Sequence, residues 1–200
     1  MNATPFLITG LPRSRTAWLS VLCSTGQAIC YHEPIGGMRD ISDIEALYKS
    51  EFYKFVGISD STLGFFLPWI LKNVKPRTVI IERDMKEVMQ SLFEIGLPRS
   101  NLVELLMDRL REFKDHPLVM WVPFEALKTK RVVQKIFWHL MPNSAFDEMR
   151  YEQLEKMRIA VDVKTIFAEA KRHKDNLDSL LRDIIPLIKL KANPNAQNIH

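Results

Sequence analysis

The sequence predicts an α/β fold: a three-layer α/β/α sandwich with helices on both faces of a central, mainly parallel sheet, and a helical C-terminal third. Three observations lead there. Short apolar runs alternate with stretches of ten or more residues that have helical patterning, and strands joined by helical crossovers pair in parallel. Several of those runs stop at a polar cluster that opens a helix, the junction expected at the carboxyl edge of such a sheet. The 200 residues are 46% hydrophobic, 10% aromatic and 26% charged, enough apolar material for one packed core and too little charge for a disordered chain.

In chain order, residues 6–9 form a short strand ending at Gly10, followed by a polar turn and the helical TAWLSVLCS. Residues 28–31 read as a second strand, ending at His32, Glu33 and Pro34. The string GGMRDISD (36–43) reads as a mobile loop, with a capping residue near Ser42 for a helix over DIEALYKSEFYKF. Residues 55–58 make a strand that ends near Asp60. The segment 61–73 is helical and stops before Pro76, because proline pushes the residue before it out of the helical region. Residues 78–81, TVII, are the clearest buried strand, β-branched throughout. They lead into Glu82, Arg83, Asp84 and a helix over 86–95. A second amphipathic helix covers 101–114, with apolar residues at Leu102, Leu105, Leu106 and Leu110. Residues 118–122 form the last strand, and a polar turn at Glu125 precedes a helix ending near Met141. From Tyr151 onward the pattern is helical only. A single domain is expected over 1–192, with 193–200 a frayed tail.

Lys and Arg exceed Asp and Glu by 28 to 24, a formal charge of +4. No run of five basic residues occurs, so the excess suits an anionic ligand better than a nucleic-acid surface. No apolar run reaches the length of a membrane span; the longest, LGFFLPWIL, is broken by Pro68. The N-terminal MNATPFLITGLPRSR lacks the basic segment of a secretory leader. Cys23 and Cys30 have no metal-ligand spacing and read as reduced, packed thiols. A soluble, cytoplasmic protein without a membrane span is expected.

The informative segment is ITGLPRSRTAWL. A strand feeds a tight turn, and the turn feeds a helix whose unpaired N–H groups and dipole make an anion site. Arg13, Ser14, Arg15 and Thr16 add cations and hydroxyls there. In the triphosphate-binding string GxxxxGK[ST], the last three positions would fall on Arg15, Thr16 and Ala17. The lysine and the magnesium-holding hydroxyl are absent, which points to a ligand whose reaction needs no divalent metal.

These residues resemble the 5′-phosphosulfate loop of the sulfotransferases, P-[KR]-S-G-T-T-W. Pro12, Arg13, Ser14, Thr16 and Trp18 match; Arg15 and Ala17 depart. A second segment, ERDMKEVMQS, resembles the family's R-[DN]-P-x-D-x-x-x-S, in which Arg and Ser bind a 3′-phosphate. Arg83 and Ser91 keep the eight-residue spacing, Met85 replaces the proline, and Glu87 supplies the acid. A strand-end guanidinium and a hydroxyl two turns into the next helix suit one phosphate. A weaker third match, WVPFEALKTK, resembles Y-E-[DN]-[LM], with Phe124 and Glu125 on its first two positions. The likeness covers roughly residues 5–145.

The resemblance implies a P-loop NTPase-like sheet and a metal-independent, in-line transfer of a sulfuryl group. The donor would be 3′-phosphoadenosine-5′-phosphosulfate (PAPS), the product 3′-phosphoadenosine-5′-phosphate (PAP), and the acceptor an unidentified hydroxyl or amine. Gly10, Pro12, Arg13, Ser14, Arg15, Thr16, Ala17, Trp18, Arg83, Ser91 and Phe124 are the donor-binding candidates. Arg13 is also the candidate for stabilising charge on the leaving oxygen, since it cannot give up a proton. Phe124 and Trp18 are read either as adenine contacts or as core aromatics. The resemblance also points to Glu33, in YHEP, as the general base, with His32 as its rival. Side chains adjacent on an extended segment point opposite ways, so only one of the pair is expected to face the donor. Two other readings stand beside this one: a small P-loop kinase, and a non-catalytic nucleotide-binding relic of the same fold.

Overall fold

The computed structural model describes residues 3–38, 40–96 and 101–157. Five strands pair in parallel throughout: β1 (Thr4–Gly10), β2 (Ala28–His32), β3 (Phe55–Ser59), β4 (Arg77–Glu82) and β5 (Val119–Pro123). Their order is β2-β3-β1-β4-β5. The helices are α1 (Thr16–Cys23), α2 (Ser42–Leu47), α3 (Leu67–Asn73), α4 (Met85–Glu94), α5 (Asn101–Arg111), α6 (Lys130–Leu140) and α7 (Glu148–Lys156).

The pleat sends successive side chains to opposite faces, and the sheet uses both. On β1, Phe6 and Ile8 join a cluster with Leu19 of α1, Val133 of α6 and Leu154 of α7. Between them Leu7 points the other way, to Ile44 of α2, Ile70 of α3, Val88 of α4 and Leu106 of α5. On β4, Val79 and Ile81 take the first face and Ile80 the second. Central parallel strands covered on both faces read as continuous apolar runs, as TVII does. The α/β sandwich expected from the sequence is the architecture found.

Three local expectations change. The segment 61–73 opens as a 3-10 turn, Thr62–Phe66, and becomes α-helical only at Leu67. The helix expected over DIEALYKSEFYKF ends at Leu47. Ser50 Oγ accepts the amides of Phe52 and Tyr53, both at 3.2 Å, and a serine that offers the backbone a local acceptor competes with the helix. The loop over 36–43 begins inside a 3-10 turn, Pro34–Gly37. The helical pattern beyond residue 157 and the tail at 193–200 lie outside the described residues. Among those described, no helix is long and apolar enough to cross a membrane.

Gly57 shows how closely β3 approaches its neighbour. It stands opposite Phe6 in the β1–β3 register, and a Cβ there would lie 2.0 Å from the Phe6 ring. Gly57→Ala is therefore expected to cost about 3 kcal/mol through overpacking, a fall in Tm of about 6–12 °C readable by calorimetric melting. An unchanged Tm would mean that the ring can move aside.

Candidate functional site

β1 ends at Gly10, which faces Ile81 of β4. A Cβ at this position would stand 2.5 Å from the Ile81 carbonyl, so no larger residue fits. The turn that follows carries two non-glycine residues in the left-handed region, Arg13 (φ 67°) and Arg15 (φ 61°). Such residues cost about 1–2 kcal/mol each and persist where the surroundings hold them. The turn is held from β4: Arg83 Nη1 donates to the Arg13 carbonyl at 2.5 Å. Arg15 is the N-cap of α1 and provides no side-chain cap, so its side chain leaves the first-turn amides free for an anion. Ser14 is fully buried in this turn, and its hydroxyl makes no hydrogen bond among the described residues. An orphaned hydroxyl beside uncapped amides fits a phosphate or sulfate oxygen.

The segment after β4 adjoins this turn. Asp84 caps α4 by accepting the amides of Lys86 and Glu87 at 2.9 and 3.1 Å, which fixes the helix start directly after Arg83. Ser91 lies two turns along α4, and its Oγ accepts from Arg13 Nε at 3.1 Å. The Arg83 guanidinium stacks 4.3 Å from the Phe124 ring centroid and pairs with Glu87 at 3.3 Å. Phe124 opens the 3-10 turn Phe124–Lys128 after β5. Arg13, Arg83, Ser91 and Phe124, named separately from sequence, thus form one connected group. Beside it a cavity of about 380 Å³ opens between the ends of β4 and β5, lined by Arg83, Phe124, Met85, Met107 and Arg111 among others. Its size falls in the range of small-molecule sites. Met107 and Arg111 come from α5, 24 and 28 residues past Arg83, and no local pattern marked them.

On the other side of β1, β2 ends at His32. Glu33 adopts φ 47°, and its amide donates to the Ser59 carbonyl at 2.9 Å. The left-handed turn folds the glutamate back, bringing Glu33 Oε1 within 3.9 Å of His32 Nε2. The opposed orientation expected for neighbours on an extended segment is overturned here, because Glu33 is not extended. Asp60 follows β3 by one residue. It is fully buried. Desolvation, and then the nearby charge of Glu33, push its carboxyl up to about 7, against three backbone amides that favour the ionised form. Its neighbour Ser61 has a buried hydroxyl without a partner among the described residues.

This titration carries a sign. A carboxyl with a folded value near 7 and an ordinary value of 3.8 binds its proton more tightly in the folded state. Stability therefore falls as pH rises from about 4 to about 7, and is level above that. The fall attributable to Asp60 is on the order of 4 kcal/mol. Asp60→Asn is expected to flatten the pH dependence of urea unfolding across that window. An unaltered slope would show that Asp60 ionises normally.

Arg15 and Trp18 make their polar contacts with α7. Arg15 pairs with Glu155 of α7 at 3.1 Å and stands 4.7 Å over the Trp18 ring. Trp18 is buried, donates from Nε1 to the Leu154 carbonyl at 3.1 Å and meets Tyr151 edge-on. Of the two readings open for Trp18, this is the packed one. The thiols of Cys23 and Cys30 are free and buried, and burial pushes Cys23 up to about 12 and Cys30 well up.

Comparison by sequence finds no matching family model and no matching curated protein. Comparison by structure does find likenesses. Mouse sulfotransferase SULT7A1, solved complexed with PAP, superposes with a TM-score of 0.54 at 17% identity. The match covers 76% of this chain and 63% of that one, so the chain spans less than two thirds of the solved structure it resembles. The likeness establishes the fold, a sulfotransferase-type α/β sheet.

Proposed function

We propose that the chain is a sulfotransferase that takes a sulfuryl group from PAPS and delivers it to a hydroxyl or amine acceptor. One observation carries this reading: the turn after β1 and the arginine after β4 are joined, through Arg83 Nη1 to the Arg13 carbonyl and Arg13 Nε to Ser91 Oγ. Two adjacent anion positions suit a nucleotide phosphorylated on both sides of its ribose. The fold likeness to a protein solved with PAP supports the same donor.

The uncapped amides of α1, Ser14 and Arg13 would hold the 5′-phosphosulfate, and Arg83 with Ser91 the 3′-phosphate. The face of Phe124 and the cavity beside it suit the nucleoside. Because β2 and β3 lie on one side of β1 and β4 and β5 on the other, the sulfuryl end is read as pointing toward Glu33. The donor supplies an activated sulfuryl group mounted on a phosphate leaving group. Glu33 takes the acceptor's proton as the acceptor oxygen or nitrogen bonds to sulfur. The bond from sulfur to the phosphate oxygen breaks, and its electron pair stays on PAP. Arg13 and the α1 amides offset the charge that builds on that oxygen. The free thiols at Cys23 and Cys30 suit a reducing compartment and support a cytoplasmic location.

Titration calorimetry with PAP, ATP and AMP tests the donor. PAP is expected to bind at least about tenfold more tightly than AMP, the difference being the charge-assisted bonds to its 3′-phosphate. Equal affinity for AMP would overturn the proposal, and tight magnesium-dependent ATP binding would favour a kinase.

A further inference from the structure

A buried carboxylate is costly, and a 3-10 turn can be capped by a neutral side chain. Asp60 is nonetheless an acid, and among the described residues it is the only acidic side chain that is buried. Its Oδ1 accepts from Thr62 and Leu63, which start the 3-10 turn Thr62–Phe66. Its Oδ2 reaches across to the Ile35 amide at 3.3 Å, two residues beyond Glu33. The preceding residue, Ser59, accepts from the Glu33 amide. Two consecutive residues at the end of β3 therefore grip the Glu33 turn on both sides of its strained residue. The grip is fixed in turn to β1, since the Asp60 amide donates to the Ile8 carbonyl at 3.0 Å.

We propose that Asp60 is the positioning residue for Glu33, holding the turn that aims the glutamate at the acceptor. This rests on Glu33 being the base. Asp60 touches no reacting atom; it acts through the Ile35 amide. Ionised, it accepts all three amides; a proton on Oδ2 would face the Ile35 N–H and break the grip on that side. The titratable groups around it are Glu33, with His32 beside that residue, and Tyr48 past the end of α2, whose hydroxyl donates to the Phe6 carbonyl and whose value burial chiefly raises, with smaller contributions from Cys30 and Asp60.

Two measurements on the whole chain test the proposal. In Asp60→Asn, amide hydrogen exchange at Ile35 is expected to speed up about tenfold or more, while Thr62 and Leu63, which an amide oxygen still accepts, keep their protection. Unchanged exchange at Ile35 overturns the grip. In Glu33→Gln, with Asp60 intact, the Asp60 carboxyl carbon followed by NMR is expected to titrate about half a pH unit lower or more, because a like charge has gone. A midpoint that does not move overturns the coupling, and this arm does not depend on the Asn variant folding. PAP calorimetry on the same wild-type sample separates the two ideas: absent PAP binding sinks the donor assignment and leaves both results on Asp60 standing.

Discussion

Arg83→Ala is expected to weaken PAP binding about a hundredfold while leaving AMP affinity within about twofold. The guanidinium offers two charge-assisted bonds to a 3′-phosphate, worth about 3 kcal/mol together, and 1.4 kcal/mol is a factor of ten in affinity. Arg83 already stands in position, stacked on Phe124 and bonded to the Arg13 carbonyl, so little ordering cost is added on binding. Glu87, 3.3 Å from Arg83 Nε, must yield to the phosphate, which keeps the gain from being larger. Because Arg83 also steadies the turn after β1, Ser91→Ala serves as the companion variant. It removes one hydroxyl and is expected to cost about five- to tenfold for PAP alone. If Arg83→Ala weakens AMP as much as PAP, the arginine is holding the turn and not the 3′-phosphate.

Glu33→Gln is expected to lower turnover by about 10²- to 10⁴-fold, the usual range for loss of a general base, with PAP affinity unchanged. Transfer from radiolabelled PAPS to a panel of phenols, sugars and amines reads the first quantity, and calorimetry the second. His32→Asn is the decisive control, since its ring lies only 3.9 Å from the glutamate. A drop confined to the glutamine variant assigns the proton to Glu33. A comparable drop in His32→Asn alone would move the base to the imidazole.

Much of the architecture was legible because its signals are local. TVII reads as a covered strand by composition, and Arg83 and Ser91 read as a pair from one strand end and the helix it enters. Both became parts of one site because β1 and β4 are neighbours, which the motifs imply but periodicity cannot supply. What escaped depended on long-range or backbone facts. Asp60 looked like an ordinary acid closing a strand, since burial cannot be read from a polar residue in a polar string. Glu33 follows a strand and reads as extended, whereas its left-handed backbone places it beside His32. Arg15, standing where the resembled family has glycine, does adopt a left-handed backbone. Its side chain leaves the turn for Glu155, a partner 140 residues away that no spacing rule reaches.

The central position of β1 also bears on how the chain is made. Its two neighbours, β3 and β4, lie some 45 and 70 residues downstream, so β1 is synthesised before either of the strands it pairs with. At synthesis rates of about 5–20 residues per second, several seconds pass before β4 is complete. Over that interval FLITG is an apolar run without its native partners, a target for aggregation or chaperone capture, and the turn beside it gains its bond from Arg83 only once that residue arrives.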